Sequence, residues 1–195
     1  MTRSEHACEQ SNPEALLWVD VETTGVDRDR DKLLEVGMRC TSVDATETYG
    51  TLTRLVRPAS LALDDFTPLT FSMHCDSGLL FDLVGSDRSK TDRNAVADAA
   101  LEFVDSLAQR FTLIPAGTNV DFDIDFIRCL DPMIMSRLSH RKLDVTTLRH
   151  LCDWFTDEEP YKAHGPSLHR VRSCIERDIS DYRRLFKSLT GRSMK

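Results

Sequence analysis

Two carboxylates, Asp20 and Glu22 in the stretch Val19-Asp20-Val21-Glu22-Thr23-Thr24-Gly25, are the residues whose types and spacing point most directly to chemistry. The run Leu16-Leu17-Trp18-Val19 before them is rich in strand formers, and Thr23-Thr24-Gly25 stops it, so the pair sits at a strand end. Alternation along a strand points both carboxylates to one face. Held together they repel unless cations neutralise them. A pair of divalent ions about 3.5–4 Å apart does this and suits phosphodiester hydrolysis, one ion activating the attacking water and the other stabilising the leaving oxygen. Oxygen donors favour magnesium or manganese over zinc. Alone, an Asp-x-Glu pair is more often two solvated strand residues; the apolar run before it and the turn after it favour the metal reading.

The elements that must position this pair follow from the apolar pattern. Strands are expected over residues 16–21, 33–40 and 48–56, an antiparallel meander closed by Pro58. Residues 60–90, broken by Pro68, Gly78 and Gly85, read as short helices and loops. The spacing of Val96, Ala99, Ala100, Phe103, Val104 and Leu107 predicts a helix from Asp92, with a strand over 112–115 after it. A helix over 122–130, a short strand over 142–145, a helix over 146–155 and one long or two consecutive helices over 168–189 complete the pattern. Three early strands followed by alternating strands and helices indicate an α/β domain with a mixed sheet flanked by helices.

A chain of 195 residues, 41% hydrophobic and 29% charged, can bury a substantial core in one domain. A polar leader is expected over residues 1–13 and the domain over 14–190. The leader carries Glu5 and Glu9 and no apolar segment, so it resembles neither a secretory signal nor a good transit peptide. No apolar run approaches the length of a membrane span. The expectation is an intracellular protein, cytoplasmic rather than mitochondrial, with no membrane partner. Six scattered cysteines, without a CxxC pair, read as free thiols in a reducing compartment. The net charge of −7 argues against a grip on long nucleic acid. From Arg137 onward there are thirteen Lys plus Arg against eight Asp plus Glu, a net of +5, which leaves −12 for the first 136 residues. That asymmetry fits an acidic metal site with a basic wall for a small anion, or an ordinary solvated helical surface.

The stretch WVDVETTG, residues 18–25, resembles the first motif of the DEDD exonuclease superfamily. Asn119-Val120-Asp121-Phe122-Asp123-Ile124-Asp125-Phe126-Ile127 is similar to its second motif, an Asn four residues before an Asp at a helix start. Lys142-Leu143-Asp144-Val145-Thr146-Thr147-Leu148 and Met73-His74-Cys75-Asp76-Ser77-Gly78-Leu79 resemble segments of the oligoribonucleases. The resemblance covers residues 16–186 and implies an RNase H-like, homodimeric 3′→5′ exoribonuclease that degrades short single-stranded RNA by two-metal hydrolysis with Mg2+ or Mn2+. It implies Asp123 as the third metal-binding carboxylate; the alternative is that Asp121 or Asp123 merely caps the helix, and the metal role is preferred for Asp123 because Phe122, Phe126 and Ile127 keep the motif's apolar pattern. Asp121 and Asp125 are expected to be exposed or to stand behind the ligands.

The third motif of that family is a His followed five residues later by an Asp. Here His169 is in place, and the Asp position is Cys174. His169 is then the expected general base, its ordinary pKa lying near neutrality; His164 is a weaker choice. Cys174 is a degenerate ligand position, since a thiolate is a poor partner for magnesium. Three outcomes stay open: an active enzyme favouring manganese, a catalytically dead binder of oligonucleotide or protein, or replacement by Asp178, itself expected to be a surface residue. The resemblance further implies substrate contacts at Val26, His74, Asn119 and Arg141. His140 stands where the family has Tyr, Asn119 where it has Ser, and Phe66 or Phe71 is the nearest aromatic to its missing Trp. A DNA-directed exonuclease differs only in how the 2′-hydroxyl is read.

Overall fold

The computed structural model describes residues 12–155 and 168–191. Five strands form one mixed sheet: β1 (Glu14–Thr23), β2 (Leu33–Thr41), β3 (Thr48–Leu55), β4 (Thr112–Gly117) and β5 (Leu143–Asp144), in the order β3-β2-β1-β4-β5. β1, β2 and β3 pair antiparallel as the expected meander, while β4 joins β1 in parallel and β5 joins β4. The parallel additions need crossovers, and helices supply them. These are α1 (Pro68–Asp76), α2 (Leu79–Gly85), α3 (Arg88–Thr91), α4 (Arg93–Ala108), α5 (Val120–Leu130), α6 (Pro132–Met135), α7 (Val145–Phe155) and α8 (Val171–Thr190). The result is the expected α/β architecture, a mixed sheet flanked by helices.

Alternation along β1 divides the core. Leu17, Val19 and Val21 pack with α4 and α5, whereas Leu16 and Trp18 pack with α7 and α8. The Trp18 indole N–H, fully buried, donates to Thr41 Oγ1 at 2.9 Å, and its ring meets Tyr182 at 5.5 Å. Asp20 and Glu22 continue the Leu16–Trp18 face and so point toward α8. That helix comes close because β2 carries Gly37 at the crossing: a Cβ there would lie 2.7 Å from Val171 Cβ, inside contact distance.

Most boundaries differ from expectation by one or two residues. α4 starts at Arg93 because the Asp92 side chain accepts the Asn94 amide, a cap worth about 1 kcal/mol. α5 begins at Val120 rather than 122, since Asn119 takes the left-handed conformation (φ 53) that turns β4 directly into the helix. The segment 168–189 gives one helix, α8, preceded by three non-helical residues. Of the polar leader, residues 1–11 lie outside the described residues; Pro13 already accepts the Thr112 amide at 2.9 Å. Among the described residues no helix is long and apolar enough to cross a membrane. Cys40, Cys75, Cys129, Cys152 and Cys174 are not in disulfides.

Candidate metal centre

Three elements converge on the end of β1. Asp20, Glu22 and Cys174 each present one ligand atom within 4.8 Å of the others. Asp123, in the first turn of α5, lays its carboxylate against the same strand: Oδ1 accepts the Val21 amide, between the two acidic residues, at 2.9 Å. The turn that aims α5 is pinned by the Asn119 N–H, which lies 3.2 Å from both Asp144 Oδ1 and Thr146 Oγ1. β5 and α7 thus hold the residue before the helix, and the helix holds Asp123.

The cluster is electrostatically unsatisfied. Burial, then Asp123, Glu22 and Asp178, raise the Asp20 pKa well above the usual carboxylate range. Burial likewise raises Asp123 despite the Val21 hydrogen bond, and burial with Glu35 lifts Glu22 to about 7. Arg177 opposes these shifts at Asp20 and Glu22, and Arg170 opposes them at Glu22. Asp20 Oδ2 is sealed from solvent and has no hydrogen-bond partner. An orphaned buried oxygen of this kind costs about 1–3 kcal/mol. A divalent cation would remove both that cost and the mutual repulsion, so the donors fit such an ion; the set is mixed, with hard oxygens and one soft sulfur.

The residues expected to serve substrate do not all gather here. His169 sits one residue before the α8 N-cap at φ 44, a left-handed backbone that costs a side-chain-bearing residue roughly 1–2 kcal/mol. Burial and then Arg177 hold its pKa below the ordinary value of 6.5, so the ring is neutral at pH 7. His74 differs from expectation. It is fully buried, its Nε2 donates to Thr23 O at 2.8 Å, and its Nδ1 lies 3.9 Å from Glu22 Oε2. The packing of α1 against the end of β1 closes it off from a ligand and turns it toward Glu22. Val26, 83% exposed, stands on the loop after β1, and Asn119 and Arg141 are exposed. Asp121 pairs with Lys142, and Asp125 with Arg28 at 2.7 Å, both away from the cluster. Phe66 packs edge-on to Phe71 and His74. His164 lies outside the described residues.

Asp178 is not a surface residue. It is 2% exposed, and its carboxylate accepts the Thr118 amide at 2.8 Å, the Thr118 hydroxyl at 2.7 Å and Arg149 at 3.2 Å. Arg149 also donates to the buried Asp181 at 2.7 Å. One turn along α8 from Cys174, Asp178 joins α7, α8 and the β4 turn, and its charge also bears on Asp20 and Asp123. Neither Arg149 nor Thr118 carries a sequence signal beyond its own type. Truncating a buried arginine strands its carboxylate partners, at about 3–5 kcal/mol. Arg149→Ala should accordingly lower the melting temperature by roughly 6–20 °C, read by calorimetry; a shift under 2 °C would mean the network is not load-sharing. Arg170 similarly crosses from α8 to Glu35 at 2.9 Å and Asp82 at 2.7 Å. Much of the positive charge after residue 137 thus neutralises acids of the fold instead of forming a basic wall.

These shifts set a pH dependence. A carboxylate whose folded pKa is raised stabilises the metal-free fold below its unfolded value and loses that contribution as pH rises through the folded one, for Glu22 between about 4.5 and 7. Protons compete with cations for the same oxygens. The rise in melting temperature on adding Mn2+ should therefore grow from pH 5 to pH 8; a pH-independent rise would place the ion elsewhere.

No family profile matches the chain. It is 27% identical over 179 residues to the mitochondrial oligoribonuclease of Bos taurus, covering 90% of this chain and 73% of that one. It is 29% identical over 150 residues to the oligoribonuclease of Leifsonia xyli subsp. xyli, covering 74% and 69%, and 29% identical over 179 residues to that of Mycobacterium ulcerans, covering 88% and 80%. Among solved structures, E. coli exonuclease I in complex with a dT13 oligonucleotide superposes with a TM-score of 0.58 at 14% identity over 90% of this chain. The zinc-bound form of its single-stranded DNA complex superposes at 0.61 with 16% identity over 92%. The chain spans only about two fifths of those exonuclease I chains, 41% and 42%. Along most of its length the chain is thus similar to curated oligoribonucleases at 27–29% identity, and its fold is similar to that of exonuclease I.

Proposed function

We propose that this protein is a divalent-metal-dependent 3′→5′ exoribonuclease, one domain over residues 14–190, that shortens small single-stranded RNAs to mononucleotides. The observation that carries this reading is the convergence of Asp20, Glu22 and Cys174 around an orphaned Asp20 oxygen, with Asp123 clamped beside them. Asp20, Glu22 and Asp123 would hold two Mg2+ or Mn2+ ions, with Cys174 at the fourth ligand position. Bound there, the ions supply charge neutralisation for the phosphodiester and a more acidic water. The neutral His169 ring accepts the proton of the attacking water. His74 has no route to substrate; it fixes the Thr23 carbonyl and faces Glu22, which makes it a positioning residue. Exposed Val26 offers an apolar surface for the terminal base, and Asn119 and Arg141 offer donors for phosphate oxygens, Arg141 reaching across a homodimer. The relatives named mitochondrial leave the cytoplasmic placement a proposal as well.

A second reading is favoured by Cys174 alone: a binder of the same fold whose magnesium site is too weak for turnover. Incubating 5′-labelled di- to pentaribonucleotides in Mg2+ and, separately, in Mn2+ separates the two. A ladder that shortens one nucleotide at a time from the 3′ end supports the enzyme. Retention of labelled RNA without shortening in either metal supports the binder.

A further inference from the structure

A cavity of about 560 Å3 is lined by none of the cluster's residues, although α5, which carries Asp123, also supplies Phe126 and Leu130 to it. Its floor is Leu33, Val56, Phe126 and Leu130, which belong to the core packed on α4 and α5, whereas Asp20 and Glu22 face α8. Its walls carry five cations, Arg28, Lys32, Arg57, Arg88 and Arg93, against two acids, Asp31 and Asp92, in a chain whose net charge is −7. The pairings decide which of these charges is available. Arg28 meets Asp125 at 2.7 Å and Lys32 meets Asp65 at 2.6 Å. Arg57 instead donates to the Val84 and Ser86 carbonyls at 3.3 and 3.5 Å, and Arg93 to the Cys129 carbonyl. Carbonyls orient a guanidinium without cancelling its charge. Arg88 stands exposed beside them. The two acids are turned to their own backbone, Asp31 accepting the Asp27 amide and Asp92 the Asn94 amide.

An apolar floor under three forked cations asks for a ligand with a flat apolar part and a doubly charged oxyanion, and the volume suits a molecule of nucleotide size. We propose that this cavity binds a nucleoside 5′-phosphate unit, the base over Leu33, Val56 and Phe126 and the phosphate against Arg57, Arg88 and Arg93. Inorganic phosphate would leave the floor unused, and a nucleoside would leave the arginines unpaired. A free mononucleotide and one residue of a strand offer the same unit. The proposal does not rest on hydrolysis at the carboxylate cluster, because the cavity shares none of the residues Asp20, Glu22, Asp123 or Cys174.

The test is calorimetric titration in EDTA, which silences the metal centre, using adenosine 5′-monophosphate, adenosine, inorganic phosphate and 5′-phosphorylated tetra-adenylate. The wild type and Asp20→Asn should bind the monophosphate equally, and more tightly than adenosine or phosphate. Arg88→Glu, a change at an exposed side chain, should weaken it at least tenfold with an unchanged melting temperature, and Arg93→Gln should weaken it too. Tetra-adenylate binding much more tightly than the monophosphate, with a steep salt dependence, assigns the cavity to a strand; equal affinities assign it to a free nucleotide. No monophosphate binding by folded wild type, or equal binding by Arg88→Glu, overturns the proposal, whatever the outcome of the cleavage assay.

Discussion

Asp20→Asn and Glu22→Gln should each reduce hydrolysis of a short RNA by on the order of a thousand-fold or more, because each removes a hard oxygen donor from the ions that carry the charge of the reaction. The same substitutions should stabilise the metal-free protein. Asp20 is crowded by Asp123, Glu22 and Asp178, and its Oδ2 has no partner, so the acid is held at a cost that an amide does not incur. A gain of about 1–2 kcal/mol corresponds to roughly 2–8 °C in a domain of this size. Turnover and melting temperature measured on the same preparations separate catalysis from folding. Full activity in a folded Asp20→Asn protein would remove the metal mechanism.

Cys174→Asp should act in the opposite direction. The thiol lies within 4.8 Å of ligand atoms on Asp20 and Glu22, so an aspartate there completes a set of oxygen donors. Magnesium-dependent cleavage should rise by about ten- to a thousand-fold, and the advantage of manganese over magnesium should shrink, since the sulfur that disfavours the harder ion is gone. Metal-free stability should fall, a further carboxylate having joined a cluster that already repels itself. Stabilisation by Mg2+ should increase, because a ligand that binds only the folded form raises stability with its affinity. Cleavage rates and melting curves with and without Mg2+ read both effects. A folded variant with neither gain would mean that the site has lost function elsewhere as well.

The fold was legible wherever the apolar period was clean. β1 follows from its apolar run of strand formers and α4 from its helical spacing, β2 and β3 fall where strands were expected, and the alternative of one or two helices over 168–189 resolves to the single α8. What was not legible depends on partners distant in sequence. His74 was marked for substrate by resemblance alone; only the packing of α1 on the end of β1 shows its Nε2 on the Thr23 carbonyl. Asp178 looked like a surface acid because nothing nearby in sequence announces Thr118 or Arg149. The charge asymmetry was real, yet its direction misled. Arg149 and Arg170 after residue 137 pair with buried acids, whereas a cavity lined by five cations takes all of them from before position 94 and part of its floor from α5. At the metal centre, local spacing marked Asp20 and Glu22, and resemblance marked Asp123 and Cys174; no pattern in the sequence pointed to Arg177 among them.

Side chains from β1, α5 and α8 are expected to act as one divalent-cation site with Cys174 as a member. The most direct test is titration of the metal-free protein with Co2+, followed by absorption. A saturable thiolate-to-cobalt charge-transfer band in the wild type is expected. It should vanish in Cys174→Ser, which keeps the weaker bands of oxygen-bound cobalt, and binding should be strongly reduced in Asp20→Asn. Absence of the thiolate band, together with cobalt affinity indifferent to Asp20→Asn, would contradict the account.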